Sequence, residues 1–235
     1  MRMLSTLYSE FNEASLTEIQ QAHSLWKNPL LLACREGRLT VGDFRFLFGQ
    51  YYAYSRSFTR YLAALMVNCE DDLGRARLIE NLWDESGGTV PERRHSNIFR
   101  NFLIHGLQLQ PEYLRFEVPT LRFVDNYLDC SGSRDFTFAT AFLALGTEGI
   151  VSRLYKDFLT GLRAAGVQEE HLEFFHIHIG CDDDHAQTLV EMLRSCAHLP
   201  HYAQSSRSGV IQAMTLRDQF FTYLHRRIQE RQANA

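Results

Sequence analysis

Two histidines and an aspartate near residue 180 have the spacing of metal ligands on one helix. His178, Asp182 and His185 stand at positions i, i+4 and i+7. At 100° per residue, a continuous helix places these side chains within roughly 60° of one another on one face. Two imidazoles and a carboxylate suit iron or manganese and leave coordination positions open for O2 or a substrate. The segment therefore predicts a metal site, with a polar surface patch as the alternative.

Glu148 is a candidate ligand on another helix. It is an acid within the otherwise apolar run from Phe142 to Val151, between Gly146 and Gly149. A carboxylate in such a run has to be paired, solvated or bound, because an isolated buried charge is strongly disfavoured. The two glycines would let another backbone or a ligand approach closely. A buried ion pair with an arginine is the alternative interpretation.

His95 requires a carboxylate partner if it is to bind a metal, and two acids are available. Glu85 ends the preceding predicted helix, before Gly87 and Gly88, whereas Glu92 lies one turn before His95 on the same predicted helix. An acid in a first helical turn stabilises the positive helix end by ~0.3–1 kcal/mol, which is a sufficient role for Glu92. Glu85 is therefore the preferred ligand, and Glu92 the alternative.

A ferritin-type di-iron site is a competing assignment. Such sites use two Glu-x-x-His pairs and two further glutamates. Glu92-x-x-His95 and Glu173-x-x-His176 fit that pattern, with Glu80 or Glu85 and Glu148 as the other acids. This assignment leaves the stripe beginning at His178 unexplained, because His176 lies nearly opposite His178 on a helix.

The apolar periodicity predicts a single all-α bundle of about seven to eight helices, spanning residues 1–235 as one domain. Proline, glycine and capping residues delimit the helices. They are expected over residues 16–34, divided or kinked at Pro29, and then over 41–69, 71–86, 91–105, 111–130, 135–165, 169–198 and 206–232. The helix over 41–69 is unusually aromatic, which indicates core packing or the wall of a substrate pocket.

Composition narrows the functional classes. Hydrophobic residues make up 45% of the 235, and the formal net charge is −4 with scattered basic residues, so neither nucleic acid nor membrane is an expected partner. The N-terminus lacks the pattern of a signal peptide. The five cysteines form no CxxC motif. These features favour a cytoplasmic protein with reduced thiols.

The combined residues resemble the haem-oxygenase-like di-iron oxidases and oxygenases, a group that includes CADD-like proteins and an undecene-forming fatty-acid decarboxylase. The resemblance lies in an acid followed by Gly-Gly and a histidine, a mid-helix glutamate, and Phe-Phe before H-x3-D-x2-H. It implies a haem-oxygenase-like fold without haem. It also implies two Fe(II) ions held by a set of six ligands, namely Glu85, His95, Glu148, His178, Asp182 and His185.

The resemblance further implies an O2-dependent oxidoreductase of a biosynthetic pathway. Its substrate is expected to be a small amino-acid derivative or carboxylic acid, oxidised through a peroxo-bridged di-iron species, with an external reductant as a further partner. Glu85, Glu148 and Tyr155 are the expected catalytic residues; Tyr155 stands at i+7 from Glu148 and shares its helical face. A homodimer is the expected assembly.

Two branches of the resembled family remain as alternatives. N-oxygenating members carry an extra carboxylate from a neighbouring helix, but no Asp or Glu occurs between Asp43 and Glu70. This absence favours oxidative C–C cleavage, desaturation or decarboxylation over N-oxygenation. The metal-independent TenA-like and PqqC-like relatives suggest a second branch, in which Cys181 serves as a nucleophile. A non-catalytic interaction protein is the remaining interpretation.

Overall fold

The protein is all-helical, as the sequence predicts. The computed structural model describes residues 13–180 and 184–234, apart from the side chains of residues 13, 184 and 185. These residues contain no strand and form twelve α-helices: α1 (Glu13–Ala22), α2 (Pro29–Arg35), α3 (Val41–Ser55), α4 (Phe58–Val67), α5 (Asp72–Glu85), α6 (His95–Asn101), α7 (Val118–Ser131), α8 (Phe136–Ala144), α9 (Val151–Ala164), α10 (Glu173–Gly180), α11 (Asp184–Ser195) and α12 (Tyr202–Ala233).

Two of the predicted helices in the first part of the chain are divided. The division of residues 16–34 before Pro29 agrees with the sequence prediction, and Asn28 caps α2 through its side chain. The helix expected over residues 41–69 ends at Ser55 and resumes at Phe58 as α4. At this break the Ser57 hydroxyl donates to the carbonyl of Ala53 at 2.9 Å, and such a side-chain bond competes with the helical ladder. The apolar periodicity continues through this break and therefore does not reveal it.

The long C-terminal helix α12 packs along α8 and organises the core. The two backbones approach closely at glycine: a Cβ added at Gly146, just after α8, would lie 2.5 Å from the Cβ of Ala213 on α12. Aromatic residues fill the space between α3, α6, α9 and α10. The ring of Phe48 contacts those of Phe99, Phe158 and Phe175. The aromatic helix α3 is thus mainly core.

A glycine pair forms the tight turn after α5 that leads to α6. Gly87 and Gly88 have φ angles of +82° and +57°, in the left-handed region that disfavours residues with a Cβ. A Cβ on Gly87 would lie 2.5 Å from the carbonyl oxygen of Val90 and 2.6 Å from the backbone nitrogen of Arg94. The turn therefore folds the chain back, so that the first residue of α6 faces the last residue of α5.

Among the described helices, none combines the length and the apolar character that crossing a bilayer requires.

We expect Gly87→Ala to destabilise the protein by about 2–3 kcal/mol, because a left-handed residue with a Cβ is strained and this Cβ also meets backbone. The measurement is urea unfolding followed by circular dichroism. Gly166→Ala is the matched control, since Gly166 has a similar φ of +86° but no atom within 4 Å of an added Cβ. An equal loss of stability in the two variants would refute the steric part of this explanation.

Candidate metal centre

Three side chains from three helices converge on one point. Glu85 is the last residue of α5, His95 is the first of α6, and His178 lies near the end of α10. One ligand atom of each lies within 4.8 Å of the others. The Nδ1 atom of His95 is 3.0 Å from Oε2 of Glu85, and the His95 and His178 rings are 4.7 Å apart. Glu85 is only 7% exposed, so its carboxylate is held largely out of water.

The orientation of His178 leaves one ring nitrogen available as a ligand. Its Nδ1 lies 2.6 Å from the backbone carbonyl oxygen of Phe174, one turn earlier on α10. A carbonyl oxygen only accepts, so Nδ1 carries a hydrogen, and in the neutral ring Nε2 is the atom that can bind a metal. Metal-binding histidines commonly have their second nitrogen fixed in this way. The ring of Phe174 packs at 4.4 Å and further restrains the imidazole.

Glu148 reaches the same region because the backbone leaves the helical path immediately before it. The sequence predicts one helix from Asp135 to Ala165, and this prediction is wrong. α8 ends at Ala144, and Glu148 begins a short 3-10 turn that leads into α9. Thr147 has φ −120° and ψ −71°, outside the helical region. Glu148 is half-buried beside the other three side chains.

Specific side chains satisfy the carbonyl groups that this break exposes. The amide of Gln20 donates to the carbonyl of Leu145 at 2.7 Å. The hydroxyl of Thr147 donates to the carbonyl of Phe142 at 2.9 Å and lies 3.1 Å from the hydroxyl of Tyr127. A buried carbonyl without a partner would be costly, so these bonds stabilise the break that positions Glu148.

The four side chains line two cavities of different size, named here the outer (larger) and the inner (smaller) cavity. An outer cavity of about 600 Å³ and an inner cavity of about 30 Å³ are both lined by Glu85, His95, Glu148 and His178. The outer volume suits a small-molecule substrate. The inner volume corresponds to about two water-sized positions. The candidate metal centre thus borders both a substrate-sized space and a space for a very small ligand.

Tyr155 lies at the inner cavity, in the first part of α9. Its ring is 5.5 Å from that of His178, and its hydroxyl is 3.3 Å from the hydroxyl of Tyr51. Burial holds the pKa of Tyr155 well above its ordinary value, so the phenol is neutral at physiological pH. The structure therefore places this predicted catalytic residue beside the metal centre as a neutral hydrogen-bonding group.

The remaining two predicted ligands are not placed. Asp182 lies outside the described residues, as does Cys181. His185 belongs to α11, but its side chain is not described. Ala186, the next residue, lines the outer cavity. The backbone of α11 thus begins close to the other ligands, and the assignment of Asp182 and His185 stays a prediction.

The alternative ligands lie elsewhere. Glu92 is exposed in a short 3-10 turn and lines neither cavity. His176 is exposed and contacts Glu169 at 2.7 Å, away from the centre, and Glu173 is also exposed. The geometry therefore favours Glu85 over Glu92 as the partner of His95. The structure does not bring together the two Glu-x-x-His pairs of the ferritin-type assignment, Glu92 with His95 and Glu173 with His176.

Charged and aromatic residues of the outer cavity were not evident from the sequence. Trp83, Asp84 and Arg93 line it, and all three are exposed. Arg153 and Lys156, two basic residues of α9, do not line the outer cavity. The guanidinium of Arg153 instead lies over the ring of Trp26 at 3.9 Å. The position of Arg93 in the wall of the outer cavity could have been predicted from the sequence only through the Gly87–Gly88 turn that precedes it.

The donor set fits iron. A carboxylate oxygen and two imidazole nitrogens lie within one coordination sphere's reach, with a second carboxylate, Glu148, on the same cavity walls. Mixed nitrogen and oxygen donors of this kind bind Fe(II) in non-haem oxygenases. The fixed Nδ1 of His178 provides the second-layer hydrogen bond that such sites use.

Solved structures share this fold. A domain of unknown function from Shewanella denitrificans with a heme oxygenase-like fold has a TM-score of 0.75 at 14% identity, covering 99% of this chain and 96% of that one. A CADD-like protein of unknown function from Nostoc punctiforme has a TM-score of 0.69 at 16% identity, covering 94% and 98%. A TenA homologue from Pseudomonas syringae has a TM-score of 0.70 at 16% identity, covering 91% and 89%.

Sequence comparison points to the same group. The proteins called 4-aminobenzoate synthase from Chlamydia muridarum and Chlamydia trachomatis are each 28% identical over 102 residues, which is 43% of this chain. The chain spans only 41% and 42% of the length of these curated relatives. Residues 45–218, which are most of the chain, match the profile of the family described as iron-containing redox enzymes. The chain therefore belongs to this haem-oxygenase-like family of iron-containing redox enzymes.

Proposed function

We propose that this protein is a non-haem di-iron oxidoreductase that uses O2 to oxidise a small amino-acid derivative or carboxylic acid. The observation that carries this proposal is the convergence of Glu85, His95, Glu148 and His178 beside a substrate-sized cavity and a much smaller one. Membership of an iron-containing redox family supports it. A purely interacting protein would have no need of these converging donor groups.

The described residues would hold iron from one side, and α11 would complete the site. Glu85, His95, Glu148 and His178 supply two carboxylates and two imidazoles, and Asp182 and His185 are the proposed further ligands. When bound, reduced iron supplies electrons that activate O2 for oxidation of a nearby substrate. The protein's own contribution is to fix the imidazoles and to exclude bulk water from the inner cavity.

The outer cavity would bind the substrate. Arg93 at its wall offers a guanidinium group for a carboxylate, and Asp84 offers the opposite charge for an amino group. Apolar contacts from Ile98, Val151 and Ile177 would hold the carbon skeleton between these charges and the metal centre. The curated relatives are named for a product that is a small amino-substituted carboxylic acid, which accords with this substrate class.

Carbon oxidation is favoured over N-oxygenation. The helices α3 and α4 reach the inner cavity through Tyr54, Ser55 and Phe58. The family resemblance associates N-oxygenation with an additional carboxylate from a neighbouring helix, and these positions provide none. We therefore propose oxidative C–C cleavage, desaturation or decarboxylation, with N-oxygenation of an amine as the alternative.

Metal-independent catalysis of the TenA type is the second candidate, favoured only by the shared fold. It would require a reactive nucleophile such as a cysteine thiolate. Burial raises the pKa of Cys34 to about 12 and that of Cys130 to about 11. Neither residue lines a described cavity, and the same holds for Cys69 and Cys196. The described cysteines are therefore poor nucleophiles.

We expect His178→Ala to remove most of the bound iron, because it deletes one of the proposed ligands, which lies beside Glu85 and His95. His176→Ala is the matched control, since His176 lies two residues away on the same helix and contacts only a surface acid. The measurement is metal analysis of both variants and the wild type after anaerobic Fe(II) loading. The proposal fails if the wild type binds no iron, or if only His176→Ala abolishes binding.

A second pair of variants tests the two proposed ligands that follow α10, Asp182 and His185. Asp182→Asn and His185→Ala should each lower the iron-to-protein ratio below that of the wild type. Asp183→Asn, at the neighbouring position, should leave the ratio unchanged because Asp183 is not one of the proposed ligands. Equal ratios in Asp182→Asn and Asp183→Asn would exclude Asp182 from the ligand set.

The reaction class can be tested before the substrate is identified. Fe(II)-loaded protein is mixed with O2 in a stopped-flow spectrophotometer, alone and with candidate amino acids, aromatic amino acids and fatty acids. A true substrate should accelerate the appearance of a transient visible absorption, and Arg93→Gln should raise its half-saturating concentration about tenfold. Release of CO2 or an alkene would support carbon oxidation, whereas a hydroxylamine product would contradict it.

A further inference from the structure

Arg217 on α12 is a buried cation without a carboxylate among its contacts in the described part of the chain. It is only 1% exposed. Its Nη1 donates to the hydroxyl of Tyr51 at 3.1 Å, and its Nη2 donates to the hydroxyls of Tyr54 and Tyr127 at 2.7 and 3.0 Å. A guanidinium group is charged at every physiological pH, and a buried charge normally requires a strong partner. Core packing alone therefore does not explain why this cluster contains a buried charge.

The guanidinium group sets the direction of the hydrogen bonds around it. Arginine only donates, so the three phenol oxygens act as acceptors towards it and their own hydrogens must point elsewhere. The hydroxyl of Tyr155 lies 3.3 Å from that of Tyr51, and we infer that Tyr51 is the donor of this pair, because its own oxygen already accepts from Arg217. The hydrogen of Tyr127 is directed to Thr147, whose own hydroxyl donates to the carbonyl of Phe142. The branch of the hydrogen-bond chain that runs from Arg217 through Tyr127 and Thr147 therefore ends at the carbonyl of Phe142, within the protein.

The other two branches end at the inner cavity. Tyr54 and Tyr155 both line it, and neither has another hydrogen-bond acceptor among the described residues. A phenol keeps its hydrogen at neutral pH, because the ordinary pKa of tyrosine is about 10. The cavity is therefore lined by two phenols whose hydroxyl groups are linked to one buried positive charge, Tyr54 directly and Tyr155 through Tyr51.

We propose that Tyr54 and Tyr155, oriented by Arg217 and Tyr51, form a binding site for a small anion in the inner cavity. The ligand class is a compact, monovalent oxygen- or nitrogen-based anion, since the space admits about two water-sized positions. Two aligned donors backed by a cation are the arrangement that proteins use to stabilise an oxyanion.

This inference rests on the proposed function, because Glu85 and Glu148 line the same cavity and would repel an anion unless iron neutralises them. The anion would then lie between the metal ligands on one side and the two phenols on the other. Arg217 would contribute through its charge and its hydrogen bonds, without contacting the anion. It is therefore a positioning residue.

Azide binding to the oxidised, iron-loaded protein tests the site. The dissociation constant is obtained from the azide-dependent visible absorption, after the iron content of each variant has been matched. Tyr155→Phe and Tyr54→Phe should each weaken binding about tenfold or more, the usual effect of losing a hydrogen bond to a charged group. Tyr51→Phe should weaken it about threefold, because Tyr155 loses the partner that orients it.

The double variant and a control distinguish orientation from general damage. Tyr51→Phe with Tyr155→Phe should bind azide no more weakly than Tyr155→Phe alone, since Tyr51 acts only through Tyr155. Tyr52→Phe, a buried neighbour on α3 whose ring stacks on Phe99, should bind as the wild type does. Azide affinity within twofold of the wild type in both Tyr54→Phe and Tyr155→Phe would overturn the proposal.

Neutron diffraction on deuterium-exchanged crystals of the metal-free protein tests the hydrogen directions independently of iron. The Tyr51 deuterium should point to Tyr155, and the Tyr155 deuterium should point into the inner cavity. A Tyr155 deuterium directed at Tyr51 would overturn the proposal even if iron binds. If instead the wild type binds no iron while the deuterium atoms have the expected directions, the proposed function fails and the donor pair stands.

Discussion

The low tolerance of a protein interior for uncompensated charge is the constraint on which this structure depends. Glu85 is almost fully buried at the end of α5, facing His95 and lying close to His178. A carboxylate in that position is stable only when donors or cations surround it. The convergence of helices α5, α6 and α10 supplies those groups, and it creates a set of nitrogen and oxygen donors suited to iron. The same desolvation that makes the carboxylate costly makes the site a strong one for a cation.

The second buried charge, Arg217, is accommodated differently. Its partners in the described part of the chain are phenol oxygens, which accept hydrogen bonds but carry no charge at neutral pH. Its guanidinium therefore remains a source of positive potential behind the inner cavity, at a depth where the effective dielectric constant is low. Arg217 does not line that cavity itself, but it contacts Tyr54 and, through Tyr51, Tyr155, and these two phenols share the cavity lining with the acids Glu85 and Glu148.

Backbone irregularities position the site as much as side chains do. The left-handed turn at Gly87 and Gly88 brings the start of α6 back to the end of α5. The break between α8 and α9 turns Glu148 towards the cavities, and Gln20, Thr147 and Tyr127 stabilise it. Uninterrupted helices would not have brought Glu85, His95 and Glu148 together. The close approach of Gly146 and Ala213 places α12, and with it Arg217, against the same region.

Much of the fold and part of the site could be predicted from the sequence, since periodicity, capping residues and the histidine and acid motifs are local signals. They predicted an all-α bundle, a role for Glu148, and Glu85 as the partner of His95. The breaks after Ser55 and Ala144 were not predicted, because both neighbouring segments keep a helical pattern and the bonds that stabilise each break involve contacts that the pattern does not encode. Arg217 also escaped notice, because an arginine on an amphipathic helix is normally exposed. Its burial follows from how α12 packs against α3 and α7, and only the tertiary structure decides which face of a helix is withdrawn from water.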